Sequence, residues 1–303
     1  MSIDCEYYIR KLNDVLEVFE RPKVEEKFPN IFIFGVPRSG TTLLSQVLIH
    51  CLDVGYINNL IARFWKCPFI GAVLSQHLGI PKQISFRSYY GRTPKISDPN
   101  EFGYFWTMHL KYKSSRNMKI DENDYNRINW KRLRSEILSL NYVFQKPCIF
   151  KNVLIGLFVK ELSKLFKKSI FIYIKREPFD NAVSLLKARE EFYGHIKEWW
   201  SLKPREYELL RDKDPEEQVA GQIYYLTREF EESIKGSDRT IKVNYEELCK
   251  SPMEIVEKVK EFVREKTHYN LKIVSTVKPF KAEKFPKESN PRLVEALKKY
   301  NLI

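Results

Sequence analysis

Apolar residues recur at helical spacing through Ile9, Leu12, Val15, Leu16 and Phe19, and the run closes at Arg21-Pro22, so the pattern predicts an amphipathic lead-in helix. Ile31-Phe32-Ile33-Phe34 follows without a polar interruption and is short enough for a strand buried on both faces. After Gly35-Val36-Pro37-Arg38-Ser39-Gly40, helical spacing returns in Leu43, Leu44, Val47 and Leu48. The order is strand, loop, helix. It recurs at Cys148-Ile149-Phe150 with a helical segment from Val153 to Phe166, and at Ser169 to Ile174 with a helix from about Phe179 to Arg189. A last strand, Thr240 to Asn244, precedes a helix from Pro252 to Glu265. Strands alternating with helices of this length predict parallel pairing through right-handed crossovers. The expected fold is therefore α/β, a central parallel sheet with flanking helices, in one domain spanning 1–303.

Two stretches break the alternation. Residues 53–146 carry Trp65, Trp106 and many tyrosines, and residues 193–237 carry Trp199-Trp200 with a predicted helix from Pro215 to Ile234. Excursions of this kind wall the site at the C-terminal ends of the strands, so both are read as insertions that select a substrate.

Composition narrows the class. A hydrophobic content of 43% with 14% aromatics excludes a disordered chain. The formal charge of +13 favours anionic ligands, although a Lys-rich solvated surface would produce the same number. The five cysteines (Cys5, Cys51, Cys67, Cys148, Cys249) are scattered without a Cys-x-x-Cys pair, which predicts no metal, no disulfide framework and a reducing, cytoplasmic setting. Neither a secretory leader nor an apolar run of about 18 residues is found, so no integral membrane segment is expected.

The chemistry begins at the first loop. Gly35 and Gly40, followed by Thr41-Thr42, have P-loop spacing, in which backbone N–H groups at a helix N-terminus cradle an anion. Thr41 stands where the P-loop lysine would be, so a triphosphate would lack the cation that reaches its outer phosphates. Arg38 projects a cation from within the loop instead. A metal-dependent kinase or nucleotidase is the rival enzyme reading, and a basic module for nucleic acid or anionic glycan is the non-enzymatic one.

Pro37-Arg38-Ser39-Gly40-Thr41-Thr42-Leu43 resembles the 5′-phosphosulfate loop of the sulfotransferases that use 3′-phosphoadenosine-5′-phosphosulfate (PAPS), and most of all that of the protein-tyrosine and many bacterial members. Ile174-Lys175-Arg176-Glu177-Pro178-Phe179-Asp180-Asn181-Ala182-Val183-Ser184 resembles the same family's 3′-phosphate segment, and Val243-Asn244-Tyr245-Glu246-Glu247-Leu248 is similar to its Tyr-Glu-Asp-Leu segment. The matches run in family order from about residue 30 to 265. The resemblance implies transfer of a sulfuryl group from PAPS to a hydroxyl or amine, release of adenosine 3′,5′-bisphosphate (PAP), no metal and no nucleic-acid partner. It implies that Arg38, Ser39, Gly40, Thr41 and Thr42 hold the 5′ end, that Arg176 and Ser184 hold the 3′-phosphate, and that Tyr245 lies by the adenine.

Sulfuryl transfer is an in-line displacement, so charge growing on the departing phosphate oxygen must be neutralised and the acceptor must lose a proton. Arg38 meets the first need, and Lys151, at a strand end where the family often places another basic residue, is either a second cation there or a solvated lysine. The base does not carry over from the family. Asn58-Asn59 occupies the place of the protein-tyrosine members' glutamate, and Lys151-Asn152-Val153 lacks the cytosolic members' histidine. Glu101 is the best remaining carboxylate. Asp98 as N-cap, Pro99 and Glu101 also spell a capping box, which would occupy the same group. His109 is the reserve base, or else a core or helix-surface histidine. Lys278, Lys281, Lys284 and Lys287 lie where family members close a segment over the nucleotide. For the acceptor, the aromatic-rich insertions favour a carbohydrate or small natural product.

Overall fold

Strands β1 (Asn30–Phe34), β2 (Gly55–Tyr56), β3 (Cys148–Lys151), β4 (Ser169–Lys175) and β5 (Thr240–Asn244) form one sheet in the order β2-β3-β1-β4-β5. Every pairing is parallel, as the alternating pattern predicts. The computed structural model describes residues 4–112 and 125–303; residues 113–124 of the first insertion lie outside the described residues.

The alternation of residue types along the strands sorts two cores. Phe32, Phe34, Phe150, Phe171 and Tyr173 point to one face, and Ile31, Ile33, Ile149, Ile170, Ile172 and Ile174 to the other. The rings stack across neighbouring strands, with Phe32 5.5 Å from Phe150 and 5.4 Å from Phe171, and Phe34 5.0 Å from Tyr173.

Helices α1 (Cys5–Leu16), α2 (Thr41–Cys51), α3 (Pro68–His77), α4 (Gly103–His109), α5 (Trp130–Phe144) and α6 (Val159–Leu165) belong to the first half of the chain. The second half adds α7 (Pro178–Tyr193), α8 (Tyr207–Leu210), α9 (Pro215–Ile234), α10 (Tyr245–Lys250), α11 (Pro252–Thr267) and α12 (Pro291–Lys299). The isoleucine face is covered by α2 and α11, the aromatic face by α4, α5 and α9. A third cluster joins α7, α9 and α12. Among the described residues no helix is long and apolar enough to cross a membrane.

The segment expected as one helix from Val153 to Phe166 is instead a 3₁₀ turn, Val153–Leu157, followed by α6. Asn152 starts the turn by accepting from Leu154 N at 2.9 Å. Gly156 lets the turn lie flat on the sheet, since a Cβ there would come within 2.6 Å of Phe34 and 2.7 Å of Phe230. A continuous helix would lift that contact off the aromatic face.

Candidate active site

β1 and β4 are adjacent and parallel, with Phe34 paired to Tyr173, so the loop after β1 and the residue after β4 emerge at one sheet edge. Loop 35–40 is tight. A Cβ on Gly35 would meet Ser39 Oγ at 2.4 Å and the Ile174 carbonyl at 2.5 Å. Gly40 has φ 99° and would meet Tyr245 at 2.4 Å. Arg38 itself adopts φ 70°, an unfavourable left-handed conformation for a side-chain-bearing residue. The loop is held by Ser39 N donating to Val36 O at 3.1 Å and by Asn181 Nδ2, from α7, donating to Pro37 O at 2.7 Å. The first bond of α2 runs from Leu44 N to Gly40 O, leaving the preceding N–H groups outside the helix ladder and available to an anion. Gly40→Ala should therefore lower unfolding stability by about 1–3 kcal/mol through clash and backbone strain. An unchanged urea midpoint would show that Tyr245 moves aside freely.

Arg38 and Arg176 are neighbours at this loop. Arg38 Nε donates to Ser184 Oγ at 3.0 Å, and its guanidinium carbon lies 4.8 Å from the Tyr90 ring centre. Arg176, buried after β4, donates from NH1 to the Arg38 carbonyl at 3.3 Å and from NH2 to the Glu283 carbonyl at 2.9 Å. Its guanidinium lies 4.6 Å from the Tyr245 ring, the ring that also abuts Gly40. Burial, then the charge of Arg176, pull Arg38 below the usual arginine value, while Glu283 opposes the shift. Arg38, Arg176, Ser184 and Tyr245 are thus brought together. The hydroxyl of Ser184, which the resemblance pairs with Arg176, binds Arg38 here.

Lys151 ends β3 one strand away and is not a solvated lysine. Its side chain is only 4% exposed, and Nζ donates to Thr42 Oγ1 at 3.1 Å and to the Glu101 carboxylate. Burial lowers its pKa, with Glu101 opposing. The capping box does not form. Asp98 accepts instead from Ser85 N at 2.7 Å, Ser85 Oγ at 2.7 Å and Lys95 N at 3.0 Å, and α4 starts later, behind Phe102 at φ 57°. Glu101 is therefore free to reach Lys151.

The reserve base sits in the core. His109 is buried against Phe105 at 4.4 Å, and its charged neighbours are Arg132, Lys111 and Arg21 rather than the loop. Burial and those cations push its pKa down to about 3, which makes its neutral imidazole a weak proton acceptor. Asn58 and Asn59 serve the fold: Asn58 bonds Ser75 Oγ and Ile61 N at 2.8 Å each, and Asn59 bonds Thr93 O at 3.0 Å.

Residues 29–268 match the family described as the sulfotransferase family. The chain belongs to that family. Among solved structures, this sulfotransferase is similar to STF9 from Mycobacterium avium, at 16% identity over 85% of this chain and 67% of that one, with a TM-score of 0.50. It is also similar to STF1 from Mycobacterium tuberculosis H37Rv, at 16% identity over 87% and 75% of the two chains with a TM-score of 0.48. Mouse SULT7A1, solved in complex with PAP, matches at 13% identity over 95% and 69% of the chains with a TM-score of 0.34. The likeness to STF9 is one of fold. No curated protein matches the sequence.

In this sulfotransferase residues of 53–146 and 193–237 pack together beside Arg38. A hairpin turn closes with Tyr89 N to Arg92 O at 2.7 Å and Arg92 N to Tyr89 O at 3.0 Å, with Tyr90 at φ 47° and Gly91 at φ 89° between them. The turn sets Tyr90 on Arg38 and Gly91 beside the Glu101 carboxylate, which a Cβ would approach to 2.8 Å. Tyr90 packs 5.4 Å from Phe192, and Phe192 stacks 5.8 Å from Trp200 of the second insertion. Sequence reasoning missed Tyr90, Asn181 and Glu283. A Tyr-Gly turn and an acid among the C-terminal lysines were the available signals. Of the segment 278–287, it is Glu283, not one of the four lysines, that meets Arg176.

Proposed function

We propose that the protein transfers a sulfuryl group from PAPS to a hydroxyl, or an amine, of a carbohydrate or small natural-product acceptor. The observation that carries this reading is that two arginines from separate strand ends lie together: the Arg176 guanidinium donates from NH1 to the Arg38 backbone carbonyl at 3.3 Å, beside an open helix N-terminus, and its charge acts on the Arg38 side chain. The donors fit a ligand with two anionic ends. Ser39 Oγ and Arg176 Nε are buried without a partner among the described residues.

When bound, PAPS supplies the sulfuryl group and departs as PAP. Arg38, the Thr41 and Thr42 hydroxyls and the N-terminal amides of α2 bind the 5′ end, Arg176 and Ser184 the 3′-phosphate, and Tyr245 flanks the adenine. Lys151, already on Thr42 Oγ1, neutralises charge on the bridging oxygen as its bond to sulfur breaks and the acceptor oxygen's bond to sulfur forms. Glu101 takes the acceptor's proton, and Tyr90, Phe192 and Trp200 offer faces on which a sugar ring stacks. The five cysteines are unpaired, and we place the reaction in the reducing cytoplasm.

Calorimetry with PAP and with adenosine 5′-phosphate tests the donor. PAP should bind about tenfold tighter or more, the value of one charge-assisted contact, and Arg176→Ala should erase the difference. Equal affinities in the wild-type protein would remove the role given to Arg176. Sulfur-labelled PAPS incubated with the source organism's metabolite extract identifies the acceptor.

A further inference from the structure

Arg38 and Arg176 are neighbouring, largely buried cations, an arrangement that costs free energy unless an anion lies between or beside them. Glu283 supplies that anion from within the chain. Its carboxylate lies 3.6 Å from Arg176 NH2, with the arginine side chain 3% and the glutamate side chain 59% exposed. Its carbonyl accepts from the same NH2 group at 2.9 Å. The segment that carries it is tied on either side, by Phe280 N donating to Cys249 O at 2.8 Å and by Phe285 N donating to Asp180 Oδ1 at 2.8 Å. Lys187 sits 4.0 Å above the Phe285 ring and Lys287 pairs with Glu177 at 3.7 Å, which fastens the far tie further. Between the ties the backbone is in no helix or strand, so Glu283 can leave Arg176 without unravelling an element.

We propose that Glu283 is an internal competitor for the 3′-phosphate subsite, occupying Arg176 until the ribose-linked phosphate displaces it, and that it thereby weakens nucleotide binding and hastens release of PAP. This rests on the reading of Arg176 as the 3′-phosphate holder. With NH1 and NH2 turned to the Arg38 and Glu283 carbonyls, a phosphate that reaches Arg176 meets the Glu283 carboxylate, 3.6 Å from NH2, as a like charge, and the phosphate, with more charge and more acceptor oxygens, wins when present. Before it arrives, Glu283 relieves the repulsion between the two arginines. Binding measured from outside is reduced by the fraction of molecules in which Glu283 covers the site.

The test is calorimetry on the wild-type protein, Glu283→Gln, Arg176→Ala and the double variant, with PAP, adenosine 5′-phosphate and inorganic phosphate as probes. Glu283→Gln should bind PAP about three- to tenfold more tightly, the range expected for losing one half-exposed ion pair, and should bind adenosine 5′-phosphate as the wild type does. The gain should vanish when Arg176 is alanine. Unchanged or weaker PAP binding by Glu283→Gln, or a gain that survives without Arg176, overturns the proposal. Wild-type protein that does not prefer PAP sinks the proposed function instead. In that event, inorganic phosphate still decides on Glu283, because Glu283→Gln must bind it more tightly than wild type for the competition to stand.

Discussion

Replacing Arg38 with alanine should lower the rate of sulfuryl transfer on the order of 10²–10³-fold, the loss that follows removal of one preorganised donor from developing charge. The preorganisation is visible in the loop. Arg38 is held at φ 70° by its neighbours, and its Nε is fixed on Ser184 at 3.0 Å, so little reorganisation remains when charge develops. Binding should suffer less than turnover. Removing Arg38 takes a donor from the 5′ end but also relieves the repulsion on Arg176, and these act in opposite directions on PAP affinity. Single-turnover rates with labelled PAPS, set beside PAP calorimetry and a circular dichroism check of folding, separate the two. Arg38→Lys should recover part of the rate, since an ammonium supplies the charge without the planar fork. An alanine variant that turns over normally would leave the loop as a mere strand-to-helix turn.

Lys151→Ala should lower turnover on the order of 10²-fold, because on the proposed reading it removes the cation that neutralises the bridging oxygen, and it leaves Glu101 without its partner. The stronger test is the pH profile. Burial lowers the Lys151 pKa, and the useful form is the ammonium, so activity should fall on the alkaline side, at a pH below that of an ordinary lysine. Lys151→Arg should move that limb upward, since a guanidinium keeps its proton. Stability responds with the opposite sign. A lysine that binds its proton less firmly when folded than when unfolded makes folding more favourable as pH rises through that window. Loss of activity at high pH without loss of structure is therefore the expected signature. An alkaline limb that stays in place in Lys151→Arg would assign it to another group.

Arg38 and Arg176 were legible because each depends on a local rule. A residue at the end of a buried parallel strand emerges at the sheet edge whatever the rest of the chain does, and glycines at the spacing of Gly35 and Gly40 mark a turn that admits little but hydrogen at Cα. Glu101 was legible as a carboxylate and ambiguous as a role. Its fate turned on whether Asp98 capped a helix, and Ser85 and Lys95, brought alongside by the insertion, offered Asp98 three hydrogen bonds instead. His109 looked available two helical turns beyond, yet α4 buries it against Phe105, where the charges that act on it are those of Arg132, Lys111 and Arg21.

Period and punctuation in the chain determined four of the five strands, their parallel pairing and the two loops that carry Arg38 and Arg176, since Phe and Ile alternating through a strand must face two different cores. Which charges meet was decided only by tertiary structure. Ser184 reaches Arg38 across 146 residues, Lys151 reaches Glu101 across 50, and Arg176 reaches Glu283 across 107. The two-residue strand β2 likewise exists through its pairing with β3. Contacts at such separations carry no periodic trace in the sequence, because each arises where independently packed elements happen to close the same space, and burial then selects the ion pairs that can survive there.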